Sequence, residues 1–417
     1  MANILFSAYW CNPFGFSEHV GSFKWLEILR SKHNIVIFTS TYSEEGLLTY
    51  YENKIPHNVK VITFSDDNFL KKSLSIDIHF GFYTFNNNVN KFIKENRGFF
   101  DQFDIILHKS PSSFRYATAL YKVEKPLILG PLNGGLQVPK PLKSYFKSES
   151  WVKNLRKLDK FLFYFPTHRK LYAKASIILI TLDYLRNSLP NRFHFKTFTF
   201  FHNAVAIKDN LIKRNKTKED TIRFLFVGRL ARFKGAELAI RALSQIDFEN
   251  FHFDIIGGDG EIEHLKKLTL DLKLTNKITF HGKLPRDQID DFYRKSDIFL
   301  FPSIKEATGN VFLEAMSFSL PIISVNNGGP KYILPNEGTL RVEINNSDTM
   351  IKNIAAHSIK LLNSGELRNK MGEINYDYCR SHYTWEIIQE KILRFIDKIT
   401  ANEIIIDSKL TDKKIIL

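Results

Sequence analysis

The sequence predicts an α/β protein built from two doubly wound, parallel-sheet domains. Short apolar runs alternate with helical patterns, both halves of the chain repeat this alternation, and a polar segment separates the halves. Strands that are apolar throughout are typical of parallel sheets, because helices cover both faces. The length of 417 residues fits two or three domains at roughly 150 residues each. Two such domains are expected to face a central cleft lined by the carboxyl ends of both sheets.

The first half of the chain, residues 1–207, opens with a βαβ pattern. An apolar run at residues 3–8 precedes a loop that contains Gly15, and Ser17 is a candidate N-cap for a helix ending near Arg30. Ligands bind open α/β sheets at such a loop. Later strands are predicted at 34–39, 59–64, 104–108, 126–129, 175–181 and 197–201.

The second half begins after a linker. Residues 208–220 are polar, charged and aperiodic, which is typical of a connecting segment. The second domain is predicted to span residues 221–384. Its strands are predicted at 222–227, 251–256, 277–280, 298–301 and 321–325, with helices at 236–246, 262–272, 286–295 and 311–318. From residue 348 the chain is predicted to be helical to about residue 400.

The composition of the chain indicates the cellular compartment of the protein and the charge of its binding partners. The net charge is +15, which favours an anionic partner: a phosphorylated substrate, a membrane surface or nucleic acid. Cys11 and Cys379 lie far apart, so we expect a reducing, cytoplasmic compartment and no disulfide framework. The first residues lack the basic region of a signal peptide. No apolar run approaches the roughly 18 residues that a membrane-spanning helix needs.

Residues 140–174 form a basic, aromatic segment. The segment contains ten lysines and arginines but only two acids, Glu149 and Asp159, and eight aromatic side chains lie among them. Such a composition fits a segment that contacts an anionic membrane surface. An ordinary solvated helix face with its aromatics packed inward is the alternative interpretation.

The stretch 297–331 predicts a strand, a polar loop, a short helix, a second strand and a glycine-rich loop. Glu306 falls in the polar loop and Glu314 falls on the helix. The unpaired N–H groups and the dipole of a helix start favour a phosphate. Two acids around such a start suggest a nucleotide-linked sugar, whereas simple capping and surface glutamates are the alternative.

Three more loops follow strands of the second domain. Gly228 ends the first strand, and Arg229 and Lys234 flank the loop after it, where they could neutralise a diphosphate. The run 257–261 is glycine-rich and could approach a flat ring or a phosphate. The third strand ends at His281 and could present its backbone to a base. Solvated loop charges and plain tight turns remain the alternatives.

The sequence contains no D-x-D triplet and no group of histidines, cysteines and acids with metal-ligand spacing. The carboxylate pair that holds Mg²⁺ on a diphosphate is therefore not expected. A leaving diphosphate would be stabilised instead by Arg229, Lys234 and the helix start near Asn310. We expect no metal and no other cofactor.

Taken together and in this order, the motifs GRLxxxKG, GDGE, FHG, SDIFLFPS and E-x₇-E resemble those of the retaining GT-B glycosyltransferases, family 4 in particular. The resemblance is tight over residues 222–331. In the first domain it is looser and rests on NPFGFSEHVGSF, DIILHKSPSSF and PLILGPLNGG. It implies a GT-B fold with an acceptor domain and a nucleotide-sugar domain. It also implies that C-terminal helices, residues 385–417 with the tail, cross back to the first domain.

The resemblance also implies transfer of a sugar from a nucleotide-diphosphate donor to a saccharide acceptor, with the anomeric configuration retained. Arg229 and Lys234 would contact the diphosphate, Glu306 would hold the transferred sugar, and Glu314 would bind the ribose. The remaining donor-binding positions would be Gly15, Gly228, Gly258, Asp259, Gly260, His281, Thr308, Gly309, Asn310 and Val311.

Two positions depart from the family pattern. Many relatives carry a histidine at the end of the strand that here runs into residues 130–135, so that role falls to Asn133 or to His108 at the end of the preceding strand. A histidine at the edge of the core is the alternative interpretation of His108. Thr308 stands where an aromatic residue often precedes the loop glycine.

These features predict a cytoplasmic enzyme, peripheral on the inner membrane face, that extends a lipid-linked glycan such as capsule, O-antigen or lipooligosaccharide. An epimerase or hydrolase of the same fold, acting on sugar nucleotides, is one alternative. A basic nucleic-acid-binding protein is another, but no helix-turn-helix, RNP or zinc pattern supports it, and nucleic acid is not an expected partner.

Overall fold

The computed structural model describes residues 1–15, 18–67, 80–146, 161–214, 216, 220–258 and 260–401. The predicted N-cap Ser17, the predicted donor-site residue Asp259 and the C-terminal tail lie outside these residues. The chain forms two compact units. One contains Met1–Gly135, Ser150–His202 and Gln389–Leu417, and the other contains Leu136–Glu149 and Asn203–Ile388.

The first unit is built on a seven-stranded sheet with the order β3-β2-β1-β4-β5-β6-β7. Its neighbouring strands pair in parallel, as a doubly wound fold requires. Its elements are β1 Asn3–Ala8, α1 Glu18–Arg30, β2 Asn34–Ser40, α2 Thr41–Tyr50, β3 Val59–Phe64, α3 Phe80–Glu95, β4 Ile105–Ser110, β5 Leu127–Leu132, α4 Pro166–Lys174, β6 Ile177–Ile180 and β7 Thr197–Thr199.

The second unit is built on a six-stranded sheet with the order β10-β9-β8-β11-β12-β13, again parallel throughout. Its elements are β8 Ile222–Val227, α5 Ala236–Leu243, β9 Phe251–Ile256, α6 Ile262–Asp271, β10 Ile278–Gly282, α7 Arg286–Lys295, β11 Ile298–Phe301, α8 Asn310–Ser317, β12 Ile322–Val325, α9 Gly329–Ile333, β13 Thr339–Val342, α10 Ser347–Leu362, α11 Gly365–His382 and α12 Trp385–Thr400.

Burial explains why the central strands are apolar throughout. All residues of β5, β6, β11 and β12 are buried, because helices pack on both faces of each sheet. The predicted doubly wound, parallel architecture is therefore confirmed for both sheets.

Several elements were absent from the sequence prediction, among them α9, which was predicted as part of a glycine-rich loop, and α2, α3 and β13. The helix α3 contains FGFYTFNNNVN, in which phenylalanine, threonine and asparagine are weak helix formers. The helix α2 carries Gly46 in its middle. The strand β13 has four residues and includes Arg341. For α3, tertiary packing outweighs local propensity, because Phe82, Phe85 and other apolar side chains are buried in the first core.

The segment predicted as a linker contributes a buried side chain to the second unit. Arg214 is 7 % exposed, and its guanidinium donates hydrogen bonds to the carbonyl oxygens of Ser319 and Phe318, both at 2.8 Å. Burial lowers its pKa to about 10. These carbonyls follow the helix α8, so Arg214 caps its C-terminal end.

The last helix, α12, begins in the second unit, and its residues from Gln389 onward belong to the first. There the ring of Phe395 packs 5.1 Å from that of Phe200, and Lys391 lies over the Phe200 ring. None of the described helices is long and apolar enough to span a membrane.

Candidate functional site

The sequence-predicted donor residues of the second unit lie in loops that follow neighbouring parallel strands. The loop 228–235 follows β8, the loop 302–309 follows β11, and the glycine loop 326–329 follows β12. Because β8, β11 and β12 are adjacent in the sheet, their carboxyl ends bring these loops together. The strand order therefore assembles the site.

Lys234 and Glu306 form an ion pair at the centre of this site. Lys234 Nζ lies 2.5 Å from Glu306 Oε2, and the two side chains are only 15 % and 11 % exposed. The ammonium also lies over the rings of Phe233 and Phe301, at 5.7 Å and 5.6 Å. A cation and an anion are thus fixed side by side with little water around them, which strengthens their electrostatic effect on a ligand.

Backbone contacts from both neighbouring loops fix the position of Glu306. The Ile304 N–H donates to the carbonyl oxygen of Phe233 at 2.8 Å, and the Gly329 N–H donates to the carbonyl oxygen of Glu306 at 2.7 Å. The side-chain amide of Asn327 donates to the Ile304 oxygen at 2.7 Å. The carboxylate is consequently presented by a loop that is tied on both sides.

The helix α8 begins where the sequence predicted a phosphate-accepting start. Gly309 has a φ of 75°, and a Cβ there would lie 2.6 Å from the Phe312 ring and 2.9 Å from Glu306 Cγ. Only glycine fits this turn without strain. The next residues, Asn310 and Val311, start the helix and contribute N–H groups that have no partner within it.

Asn203 is a polar contact of this helix start that the sequence analysis missed. Its side-chain amide donates to Thr308 Oγ1 at 3.3 Å and to the side-chain oxygen of Asn310. It lies more than 100 residues away in sequence, so no local pattern connects it to the site.

Glu314 lies on α8 with both carboxylate oxygens occupied by side chains from α7. Arg286 Nη1 lies 2.5 Å from Oε1, and the Tyr293 hydroxyl donates to Oε2 at 2.9 Å. The Glu314 side chain is 12 % exposed. Sequence reasoning missed both partners. Helical spacing places Arg286 and Tyr293 on one face of α7, but it does not identify α8 as the helix that packs against that face.

Arg232 lies between Arg229 and Lys234 in the sequence, and its contacts anchor the loop 228–235. Arg229 is exposed, and its guanidinium lies 5.9 Å from the Phe233 ring centre. Arg232 Nε lies 3.2 Å from Glu261 Oε1, and Nη1 donates to the carbonyl oxygen of Tyr145 at 3.2 Å. The Arg232 guanidinium also covers the Tyr145 ring at 5.5 Å.

Tyr145 belongs to the basic, aromatic segment 140–174, part of which groups with the second unit. Its hydroxyl donates to Glu237 at 3.4 Å, and the neighbouring Phe146 is 7 % exposed. These aromatics are packed inward, whereas Phe161, Tyr164 and Phe165 are 58 %, 80 % and 58 % exposed. Residues 147–160 lie outside the described part of the chain.

The loops after β9 and β10 hold the predicted base-contacting residues. Gly257 donates its N–H to Gly282 at 2.8 Å, and Gly258 accepts from the Leu230 N–H at 3.2 Å, while Gly260 pairs with Leu230 in a bridge. The Gly228 N–H donates to Ile256 at 2.9 Å. These bonds hold the loops after β8, β9 and β10 against one another.

The ring of His281 faces the side chain of Asp254. Its Nε2 lies 2.8 Å from Asp254 Oδ1, and both residues line a cavity of about 740 Å³ that also contains Arg223 and His252. A contribution of His281 to a nucleotide site would therefore come from its backbone, as the sequence prediction stated.

The first unit holds the remaining predicted residues. Gly15 donates its N–H to Asn12 O at 3.2 Å. The Asn133 N–H donates to Ser112 O at 2.7 Å, and its side chain accepts from the Gly134 N–H. Both positions lie in loops after strands β1 and β5.

His108 is buried within β4 and is 2 % exposed. Its Nδ1 lies 3.1 Å from Ser7 Oγ, and burial lowers its pKa to about 3. A neutral, enclosed imidazole matches the alternative interpretation, a histidine of the core. Asn133 is half-buried in its loop, and its role stays a prediction.

Residues 207–378 match the family model of the glycosyl transferases group 1. An uncharacterized glycosyltransferase of Methanocaldococcus jannaschii is 26 % identical over 211 residues, which cover 50 % of this chain and 56 % of that relative. The chain thus matches little more than half of this relative's length.

Solved structures share the fold over almost the whole chain. Sucrose-phosphate synthase from Thermosynechococcus elongatus superposes with a TM-score of 0.65 at 15 % identity, covering 96 % of this chain and 100 % of that one. The Anabaena protein HepE, solved with UDP and glucose, gives 0.61 at 16 % identity over 95 % and 100 %. The predicted two-domain, Rossmann-like GT-B fold is therefore confirmed.

Proposed function

We propose that this protein transfers a sugar from a nucleotide-diphosphate donor to a saccharide acceptor, since residues 207–378 match the family model of the glycosyl transferases group 1. The observation that carries the proposal is the enclosed Lys234–Glu306 pair beside the helix start of α8. A cation for a phosphate and a carboxylate for sugar hydroxyls lie together, which is what a diphosphate-linked sugar requires. The solved relative HepE holds UDP and glucose, which supports a nucleotide-sugar donor.

In this proposal the residues of each loop bind a different part of the donor. Lys234 and Arg229 neutralise the diphosphate, and the N–H groups of Gly309, Asn310 and Val311 donate hydrogen bonds to its distal phosphate. Glu306 receives hydrogen bonds from the transferred sugar. Glu314 binds the ribose, and the backbone near Gly258 and Gly260 lies by the base. On binding, the phosphate replaces Glu306 as the partner of Lys234.

The reaction we infer proceeds on one face of the sugar and retains its configuration. The bond between the anomeric carbon and the phosphate oxygen breaks, and a bond to the acceptor oxygen forms. The acceptor proton passes to the leaving phosphate oxygen. Lys234, Arg229 and the helix start stabilise the charge that develops on the diphosphate. The acceptor is assigned to the first domain, with Asn133 in a loop at the carboxyl edge of its sheet, whereas Gly15 contacts the donor diphosphate.

A donor panel tests this proposal. UDP-, GDP- and TDP-sugars are incubated with the protein, with and without saccharide acceptors, and nucleotide release is followed. Glu306→Gln should lower kcat about a hundredfold or more, as loss of a transition-state contact does. Glu337→Gln, an exposed glutamate of the same unit, is the matched control and should leave the rate unchanged. The proposal fails if no donor binds and Glu306→Gln alters no activity.

Product analysis distinguishes the alternatives. Nucleotide or sugar release that is independent of acceptor would favour the hydrolase, and a new sugar nucleotide would favour the epimerase. The anomeric signal of the product, measured by NMR, reports retention or inversion. We also propose that no metal is needed, because the sequence lacks a D-x-D triplet and supplies Arg229 and Lys234 instead. Activity should therefore persist in EDTA.

We further propose that the protein acts at the inner, cytoplasmic membrane face and extends a lipid-linked surface glycan. The support is the net charge of +15 and the exposed side chains of Phe161, Tyr164 and Phe165. The exposed residues Arg169 and Lys170 follow them on α4. Aromatic and basic side chains together suit the headgroup region of an anionic membrane.

A further inference from the structure

We propose that Arg286 and Tyr293 are positioning residues that hold the Glu314 carboxylate ready for the two vicinal hydroxyls of a ribose. The protein would consequently prefer ribonucleotide over deoxyribonucleotide donors. This inference rests on the proposed function, since it assigns Glu314 to the nucleotide of the donor.

The contacts fix the carboxylate from two sides. Arg286 Nη1 lies 2.5 Å from Glu314 Oε1, and the Tyr293 hydroxyl donates to Oε2 at 2.9 Å. Both partners come from the same helix, α7, and therefore move as one body. The plane of the carboxylate is set before a ligand arrives. Binding therefore loses less free energy to the ordering of this side chain.

The hydrogen-bonding capacity of Glu314 leaves room for a diol. An ionised carboxylate offers about four lone-pair sites, and Arg286 and Tyr293 each use one, on different oxygens. Each oxygen thus keeps capacity for one more donor. The two adjacent hydroxyls of a ribose supply two donors at matching separation, whereas a 2′-deoxyribose supplies one.

Arg286 and Tyr293 differ in exposure. Tyr293 is completely buried, and its ring stacks on that of Phe318 at 5.4 Å. Burial raises its pKa well above the usual range, so the phenol stays protonated and donates to Glu314. The Arg286 side chain is 51 % exposed. Tyr293 is therefore held in place by the core, whereas Arg286 can be replaced by alanine without creating a cavity in the core.

Arg286 has a second acidic neighbour besides Glu314. Arg286 Nε also lies 3.8 Å from Asp290 Oδ1 in the same helix, which limits its movement along α7. A simple structural tie between α7 and α8 would show the same contacts, and only the ribose dependence separates the two roles.

The test compares nucleotide affinities by calorimetry. UDP and 2′-deoxy-UDP are titrated into the wild type, Arg286→Ala and Arg286→Lys, with GDP and 2′-deoxy-GDP used in the same way if GDP binds more tightly. Arg286→Ala should weaken binding of the ribonucleotide about tenfold, the loss typical of one charge-assisted contact. The deoxy nucleotide should lose much less, and Arg286→Lys should be intermediate.

Two further variants complete the design. Tyr293→Phe removes only the hydroxyl and should reproduce the selective loss of ribonucleotide affinity. Arg294→Ala, on the same helix and paired instead with Asp209 and Asp291, should change nothing. In steady-state assays Arg286→Ala should raise KM for the donor and leave kcat nearly unchanged.

Equal losses for the ribo and deoxy nucleotides would overturn the inference, as would wild-type affinity for dTDP equal to that for UDP. In both cases the proposed glycosyl transfer would stand. Failure of the wild type to bind any nucleoside diphosphate would instead remove the proposed function itself.

Discussion

His108 and Glu306 show how differently two ionisable residues of the predicted site are held. His108 lies inside β4 with 2 % of its surface exposed, and its neutral ring contacts Ser7. Glu306 lies in a loop and pairs with Lys234. The first environment excludes charge, whereas the second pairs opposite charges where a ligand can displace one of them.

The buried imidazole of His108 makes stability depend on pH. Burial lowers its pKa from 6.5 to about 3, so the unfolded chain binds this proton first as the pH falls. The free energy of unfolding should therefore fall below pH 6.5, by at most about 1.4 kcal/mol per pH unit from this group. Above pH 6.5 the group should contribute no pH dependence.

Denaturant unfolding between pH 7 and pH 4 measures this effect. His108→Asn keeps a polar group near Ser7 and should show a shallower decline than the wild type. His57→Asn, at an exposed histidine, is the control and should follow the wild-type profile. Parallel profiles for the wild type and His108→Asn would contradict the prediction.

Among the elements, the junction between the loop 228–235 and the helix α5 has a strict steric requirement. Gly235 has a φ of 81°, and a Cβ there would lie 2.1 Å from the carbonyl oxygen of Pro302. That oxygen belongs to the loop that carries Glu306. The close approach of the two backbones is what brings Lys234 to the carboxylate.

Gly235→Ala should destabilise the protein by about 2–4 kcal/mol, from the left-handed conformation and the clash together. Because the two loops would separate, donor turnover should fall as well. Thermal unfolding and the nucleotide-release assay measure the two effects.

Gly21→Ala is the matched control for Gly235→Ala. Gly21 lies within α1, and a Cβ there meets nothing within 4 Å. Alanine should stabilise the helix by about 0.5–1 kcal/mol. If Gly235→Ala proved as stable as the wild type, the close packing of the two loops would not be a requirement of the site.

At the scale of the whole molecule, charge and exposed apolar surface determine the expected partner. The net charge is +15. The segment 140–174 divides: Tyr145 and Phe146 pack into the second unit, whereas Phe161, Tyr164 and Phe165 of the first unit are exposed. Of these five described side chains, Phe161, Tyr164 and Phe165 are the ones available to a membrane.

Replacing Phe161, Tyr164 and Phe165 by serine should reduce binding to vesicles that contain phosphatidylglycerol about tenfold or more, since buried apolar area drives interfacial binding. Added salt should weaken the remaining binding. Sedimentation with vesicles of pure phosphatidylcholine measures the part of vesicle binding that does not depend on the negative charge of the lipid.

Leu270→Ser is the control for the vesicle experiment, because Leu270 is 66 % exposed on α6 of the second unit. It should bind vesicles like the wild type. Unchanged binding by the triple variant would reject this surface as the membrane contact. Tighter binding to DNA than to acidic vesicles would favour the nucleic-acid alternative.

Much of the fold and part of the site followed from local sequence. The strands β8, β9 and β11 consist mostly of apolar residues and were predicted with the bounds that the structure has. The helix α3 was missed because its asparagines and phenylalanines favour a helix only when packed. The sequence placed Glu306 in a loop and Glu314 on a helix, and the structure agrees.

The sequence by itself predicted most of the strands and helices and their order, because hydrophobic period and turn residues are local properties. It also indicated which loops carry Lys234, Glu306 and Glu314. The tertiary structure alone decided the partners: Arg286 and Tyr293 on Glu314, the burial of Arg214 and His108, and the contact of Tyr145 with Arg232. Such contacts join residues far apart in the chain, and no local pattern encodes which faces meet.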